Sequence, residues 1–146
     1  SIKTTSLKIQ NPWQAPPILV LTLHPGFDAD NFAEQISDKT SALLINAYGN
    51  GNGANTESFK QLLQKAIDNH VAIFVRSQCF EGDVNFGLYE ASSLFTDMGA
   101  VSCGNMPFEA ALTKIQILCS EYGEDVKKIT ELFRQNVARE WSPLFR

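Results

Sequence analysis

Three short apolar runs constrain the fold of this chain more than any other feature. "ILVLTLH" (18–24), "SALLINAY" (41–48) and "VAIFVRS" (71–77) are nearly continuous stretches of leucine, alanine and β-branched residues. That is the pattern of a strand buried on both faces. Each run is followed by apolar residues at helical spacing. After the first, Pro25-Gly26 breaks the strand, Asp28 stands where an N-cap belongs, and Ala29, Phe32, Ala33 and Ile36 form a stripe. After the second, Phe59, Leu62, Leu63, Ala66 and Ile67 mark one helix face; after the third come Ala91, Leu94, Phe95 and Met98, closed by Gly99 in the C′ role. "AVSC" (100–103) is a short fourth strand. A helix from about Pro107, with proline tolerated in its first turn, buries Ala111, Ile115, Leu118 and Tyr122. A last helix carries Val126, Ile129, Phe133 and Val137. The alternation predicts an α/β fold: a three-layer αβα domain over 18–146 with a four-stranded, mainly parallel sheet. Residues 1–17, polar with Asn11-Pro12 and Pro16-Pro17, read as an interdomain linker. Ser1 is not an initiator methionine, so the chain is expected to be processed or a piece of something longer.

Composition narrows the function classes. With 146 residues, 44% of them apolar and 19% charged, the chain is about one globular domain with a real core. Twelve basic residues are scattered among 16 acidic ones, for a net charge of −4. Nucleic acid and anionic membrane are poor partners on that ground, and no apolar run approaches the ~20 residues of a membrane span. Cys79, Cys103 and Cys119 are odd in number and widely spaced, which argues against a disulfide framework or zinc cluster and for a reducing compartment. His24 and His70 stand alone as packed or surface residues. No metal or cofactor is expected.

In a Rossmann- or flavodoxin-like sheet, ligands collect outside the carboxyl ends of the strands. Three loops leave those ends: "HPGFD", "YGNGNGAN" and "SQCFEGDVNFGLY". Around the second, "NAYGNGNGAN" (46–55) packs three glycines and four asparagines into ten positions, residues that tolerate positive φ and let the backbone fold tightly. Gly49-x-Gly51-x-x-Ala54 satisfies the dinucleotide fingerprint, and Arg76 at the next strand's end suggests a 2′-phosphate contact. The spacing argues against it. A nucleotide-binding helix starts inside the glycine run, whereas here the first credible start is Asn55 or Thr56. Cys79 lies beyond a strand end, yet neither histidine is placed to serve as its base. Cys103 and Cys119 fall on a strand and a helix stripe and read as inert core. Tyr89 reads equally as core or site. From residue patterns alone this is a ligand-contacting domain without its own catalytic machinery.

"YGNGN", "SQCFEGDVNFGLYE" and "NMPFEAALTKI", with "LTLHPGFDAD" upstream, together resemble the C-terminal domain of L-asparaginases, nearest to the cytoplasmic, type I branch. The resemblance covers about residues 17–140. It implies an amidohydrolase that converts asparagine to aspartate and ammonia through a threonine nucleophile on an N-terminal domain. The corresponding motifs are absent from this chain, so no catalytic residue is expected within it. It implies a homo-oligomer, dimer or tetramer, in which this domain lends a loop to a neighbouring active site. Asn52 matches the family asparagine of that loop, with Gly51 and Tyr89 beside the substrate; an amide that both donates and accepts suits a zwitterion. Cytoplasmic members can carry an effector-asparagine site, onto which Cys79 and Asn46 fall by position. Some type I enzymes have arginine at the latter place, and a neutral amide cannot make the charge-assisted fork to a carboxylate. This departure weighs against a working regulatory site. The helix at 58–69 ends in Asn69-His70, where Asn69 is expected to take the left-handed cap.

Two other readings compete. One is the related ammonia-releasing component of a tRNA-dependent amidotransferase, which shares this domain. The other is a non-catalytic amino-acid-binding module, which upstream "TGGT"-like and "HGTDT"-like motifs would exclude.

Overall fold

The computed structural model describes residues 16–47, 57–77, 94–104 and 106–141. Four strands, β1 (Ile18–Leu23), β2 (Ala42–Ala47), β3 (Ala72–Ser77) and β4 (Val101–Ser102), form one sheet in the order β1-β2-β3-β4, every pair parallel. Between them lie α1 (Ala29–Ala33), α2 (Glu57–Asp68) and α3, of which residues 94–97 are described. Helices α4 (Phe108–Tyr122) and α5 (Val126–Trp141) follow the last strand.

Strand alternation explains the layers. Leu21, Leu23, Leu43, Ile45, Ala47 and Ile73 point to one face and pack with α1, α2 and Phe95. Ala42, Leu44, Ala72, Phe74, Val101 and Cys103 point to the other, where Ala111, Ile115, Leu118 and Cys119 of α4 and Ile129 and Phe133 of α5 close over them. The sheet is therefore covered on both sides except along β1, where Val20 and Thr22 are exposed on the second face, so the expectation of a strand buried on both faces fails there; β2, with every residue buried, is central. Aromatic rings tie each layer. Phe59 on α2 meets Phe27 and Phe95 edge-on, at centroid distances of 6.4 and 5.9 Å. Phe74 and Phe133 sit 4.7 Å apart in the second layer.

Local chemistry sets the helix ends. The Asp28 carboxylate accepts the Asn31 N–H at 3.0 Å, so the expected N-cap forms. Helix α1 is shorter than its stripe implied. It ends at Ala33, and the Lys65 ammonium on α2 donates to that residue's carbonyl at 2.6 Å. Ile36 lies beyond the helix yet is buried. Gly99, at φ 76, takes the predicted left-handed turn, with the Ala100 N–H returning to the Phe95 carbonyl.

At the end of α2 it is His70, at φ 57, that adopts the left-handed conformation, not Asn69. The Asn69 side chain instead donates to the Lys65 carbonyl at 2.8 Å. Two further expectations are corrected. Ile67 is 37% exposed rather than on the buried face. Pro107 is the N-cap of α4, at φ −55 and ψ 148, so the helix starts one residue later. Ala91 and the side chain of Val137 lie outside the described residues, as do residues 1–15 of the expected linker. Among the described residues no helix is long and apolar enough to cross a membrane.

Candidate functional site

The carboxyl edge of the sheet is where side chains stop being apolar. Leu44 and Phe74 occupy adjacent strands on the face covered by α4 and α5. Two residues further along, the same face carries Asn46 on β2 and Arg76 on β3, in register with each other, and Thr22 on β1 is in register with Asn46. Thr22, Asn46 and Arg76 thus form one polar row across three strands, directly above the core. Period-two alternation requires this: residues that share a register share a face.

Asn46 is buried, with 5% of its surface exposed, and a buried amide must find partners. Its Oδ1 accepts from Arg76 Nη1 at 2.9 Å. Arg76 Nε–H donates to the Met106 carbonyl at 2.8 Å, and the guanidinium carbon lies 5.9 Å from the centre of the Phe108 ring. The half-buried arginine is thereby held from three directions: by β2, by the turn entering α4, and by an aromatic face. Its charge also reaches Cys103, where it opposes, without overcoming, the burial that pushes that thiol up to about 12. Because Arg76 contacts Met106 and Phe108, which flank the Pro107 N-cap, the start of α4 with the positive end of its dipole lies in the same neighbourhood as Arg76.

Of the residues expected at the site, only Asn46 is among those described. Asn52, Gly51, Tyr89 and Cys79 lie outside the described residues, as does the whole "YGNGNGAN" loop. Strands β2 and β3, which precede residues 48–56 and 78–93 in the sequence, are neighbours with their carboxyl ends at Ala47 and Ser77. Cys103 and Cys119 are buried free thiols, both pushed up to about 12 by desolvation, which makes them the inert core residues the sequence indicated. His24, at the end of β1, is exposed, with its Nδ1 2.9 Å from the Pro25 carbonyl and its ring edge-on to Phe27. Among the described residues no three His, Cys, Asp or Glu side chains are grouped to hold a metal. A polar cleft of about 400 Å³, bordered by Asp38, His70 and Glu124, lies at the opposite, amino end of the strands.

Sequence reasoning missed the Asn46–Arg76 pair. It weighed Arg76 only as a nucleotide-phosphate contact and Asn46 only by its own position. The signal was present in the strand pattern: each is the fifth residue of its strand, so parallel strands of equal phase bring them side by side.

Residues 18–133 match the family described as the Glutaminase/Asparaginase C-terminal domain. Over 135 residues the chain is 33% identical to L-asparaginase 1 of Escherichia coli K12, covering 92% of this chain and 40% of that protein. It is 31% identical over 127 residues to a Glutamyl-tRNA(Gln) amidotransferase component of Saccharolobus solfataricus, covering 86% of this chain and 28% of the other. Among solved structures, L-asparaginase I from Vibrio cholerae superposes with a TM-score of 0.65 at 26% identity, over 80% of this chain and 35% of that one. The chain thus spans about two fifths of the length of the first of these relatives.

Proposed function

The chain belongs to the Glutaminase/Asparaginase C-terminal domain family, and from that premise we propose that it is the C-terminal domain of a cytoplasmic L-asparaginase. The whole protein then converts asparagine to aspartate and ammonia. The observation that carries this reading is the likeness to L-asparaginase 1, which runs through nearly all of this chain. The threonine and lysine motifs that perform the chemistry in such enzymes are not in this sequence. By itself, therefore, the chain hydrolyses neither asparagine nor glutamine. Its partners are L-asparagine, its own N-terminal catalytic domain, and further copies in a homo-dimer or tetramer.

Its part in the reaction is positional. Glycines around Gly51 shape the loop after β2, and Asn52 reaches from it into a neighbouring subunit's site, with Tyr89 supplied by the loop after β3. The support for this pairing is that the two loops leave adjacent parallel strands at the edge where such sheets bind ligands. The test is Asn52→Ala in the full-length enzyme. A hydrogen bond to a charged group is worth roughly 1.5–3 kcal/mol, so kcat/KM falls by about one to two decades with stability unchanged. Asn50→Ala is the control, with a smaller effect. Hybrids of an Asn52→Ala chain with a nucleophile-dead chain regain activity, because one pairing restores an intact site. Hybrids that assemble but stay inactive refute the trans-acting role.

The likeness to the Saccharolobus amidotransferase supports a second reading, an ammonia-releasing component in tRNA-dependent amidation. Glutamine hydrolysis that depends on charged tRNA and a partner protein, with no free-asparagine activity, selects it over the first.

A further inference from the structure

The two edges of the sheet are built differently. Strand β4 is two residues long, too short to recruit a neighbour. Strand β1 is six residues long, ILVLTL, with no charge and no proline, and no strand lies beyond it among the described residues. A long apolar edge pairs with whatever strand reaches it, so folded proteins shorten, charge or cover such edges. Just before β1 the Pro17 carbonyl accepts from the Ser41 N–H at 2.9 Å. Odd-numbered residues along β1 therefore turn their backbone groups toward β2, and Ile18, Val20 and Thr22 turn theirs outward. The side chains of these three lie on the second face, where β1 is uncovered and Val20 is 37% exposed. Ile117, 38% exposed, follows Phe108 on α4 by about two and a half turns. Phe108 meets Arg76 of β3, so Ile117 lies on the flank of α4 that faces β1. An apolar shelf and a row of outward backbone groups share this edge.

We propose that residues 5–10, TSLKIQ, cover it as a fifth strand antiparallel to β1. They lie outside the described residues and are assigned by their tether and their pattern. The bond to Ser41 fixes Pro17 at the amino end of β1, so the preceding chain stays beside the edge at high effective concentration. Between the segment and β1 stand Asn11-Pro12 and Pro16-Pro17, which favour a reversal of the chain. The segment alternates with period two: Thr5, Leu7 and Ile9 on one face, Ser6, Lys8 and Gln10 on the other.

Face matching sets how it docks. With Leu7 beside Val20, Ile9 stands beside Ile18 and Thr5 beside Thr22, each pair on one face and exchanging both backbone bonds. The apolar set then extends the uncovered face toward Ile117. The polar set falls on the α1 side, where Asp30 and Glu34 are exposed and opposite in charge to Lys8. A slip of one residue would put Lys8 on the apolar shelf, so the register is specified. The inference goes beyond the asparaginase reading and does not rest on it. Its consequence is that whatever precedes residue 5 departs from beside Thr22, at the carboxyl edge that carries Asn46 and Arg76.

The experiment is residue-resolved amide hydrogen exchange on the chain and on a version starting at Pro16. The Val20 and Thr22 N–H groups exchange about a hundredfold more slowly in the parent, because an added strand must open before they do. Leu19 and Leu21, which turn toward β2, stay protected in both chains and show that the shortened one is folded. Should it fail to fold, a Leu7→Asp, Ile9→Asp double variant supplies the comparison, with the same loss at Val20 and Thr22 alone. Gln10→Lys, on the polar face, keeps the protection. Val20 and Thr22 amides as fast in the parent as in the shortened or double-variant chain overturn the proposal. Equal loss of protection in Gln10→Lys also overturns it. So does protection that disappears on dilution, which assigns the edge to a second copy of the chain. No readout involves catalysis, so this outcome is separate from that of the Asn52 hybrids.

Discussion

The two buried thiols make the stability of this domain sensitive to alkali, by an amount that follows from their surroundings. Cys103 is 0% and Cys119 2% exposed, both in the layer closed by α4 and α5. Burial pushes each thiol from 9.0 up to about 12. A thiolate is therefore far costlier in the folded chain than in the unfolded one. Below pH 9 both states hold the proton and the thiols introduce no pH dependence. Above it, the unfolded chain releases protons that the folded chain retains, and stability falls until the folded groups titrate near 12. At pH 10 the loss is about 1.4 kcal/mol per thiol, or roughly 3 kcal/mol for the pair. Against a typical total of about 5–15 kcal/mol, that lowers the melting temperature by roughly 6–12 °C for a domain of this size. The assay is urea unfolding at pH 8, 9 and 10 for the parent chain and for a Cys103→Ala, Cys119→Ala double variant. The variant starts less stable, having lost core volume, but its decline between pH 8 and 10 is shallower by about 3 kcal/mol. Taking the difference between chains cancels Cys79, the lysines and the tyrosines. Parallel declines would show that these thiols are not desolvated, and with them the tight closure of the second layer would fail.

The other expected outcomes test the layers and the turn. Phe133→Ala, which removes a fully buried ring packed 4.7 Å from Phe74, costs about 3–5 kcal/mol. A double-mutant cycle with Phe74→Leu returns a coupling of about 0.5–1.5 kcal/mol, and zero coupling means that α5 does not sit on β3 as described. His70→Gly raises stability by about 0.5–1 kcal/mol in thermal melts, because glycine adopts φ 57 without the strain a Cβ brings; a destabilised variant refutes the left-handed turn.

The strands were legible almost to the residue, since a strand buried on both faces, as β2 is, leaves a continuous apolar run; β1 has such a run too, yet its Val20 and Thr22 are exposed on one face. The helix stripes were less faithful, because apolar spacing reports burial and not helicity. Ile36 belongs to the core, as its spacing with Phe32 implied, but the chain reaches it through a turn after α1 has ended. Ile67 has the right spacing on α2 and still faces solvent at the rim of the layer. The choice between Asn69 and His70 for the left-handed position was decided by tertiary demands. Val71 must enter β3 with its N–H returning to the Ala66 carbonyl, and that register places the turn on His70 despite asparagine's greater tolerance for it.

The site was legible in a different way. Loop chemistry pointed to the carboxyl edge, and the order of motifs pointed to a family, but position-by-position comparison treats each residue as if it acted alone. By that measure Asn46 is a loss: an amide where a cation was wanted. Strand register gives another account, because in parallel strands the neighbour of a residue is some thirty positions away in sequence, and position 76 is that neighbour. Function at a sheet edge belongs to the row and not to the column. Asn46 holds the Arg76 guanidinium by accepting from it at 2.9 Å, and an aliphatic residue there would not. Asn46→Leu should therefore cost about 1–3 kcal/mol in urea unfolding, although it removes no charge, because the Arg76 guanidinium loses its acceptor. An Asn46→Leu chain as stable as the parent would show that Asn46 does not hold Arg76.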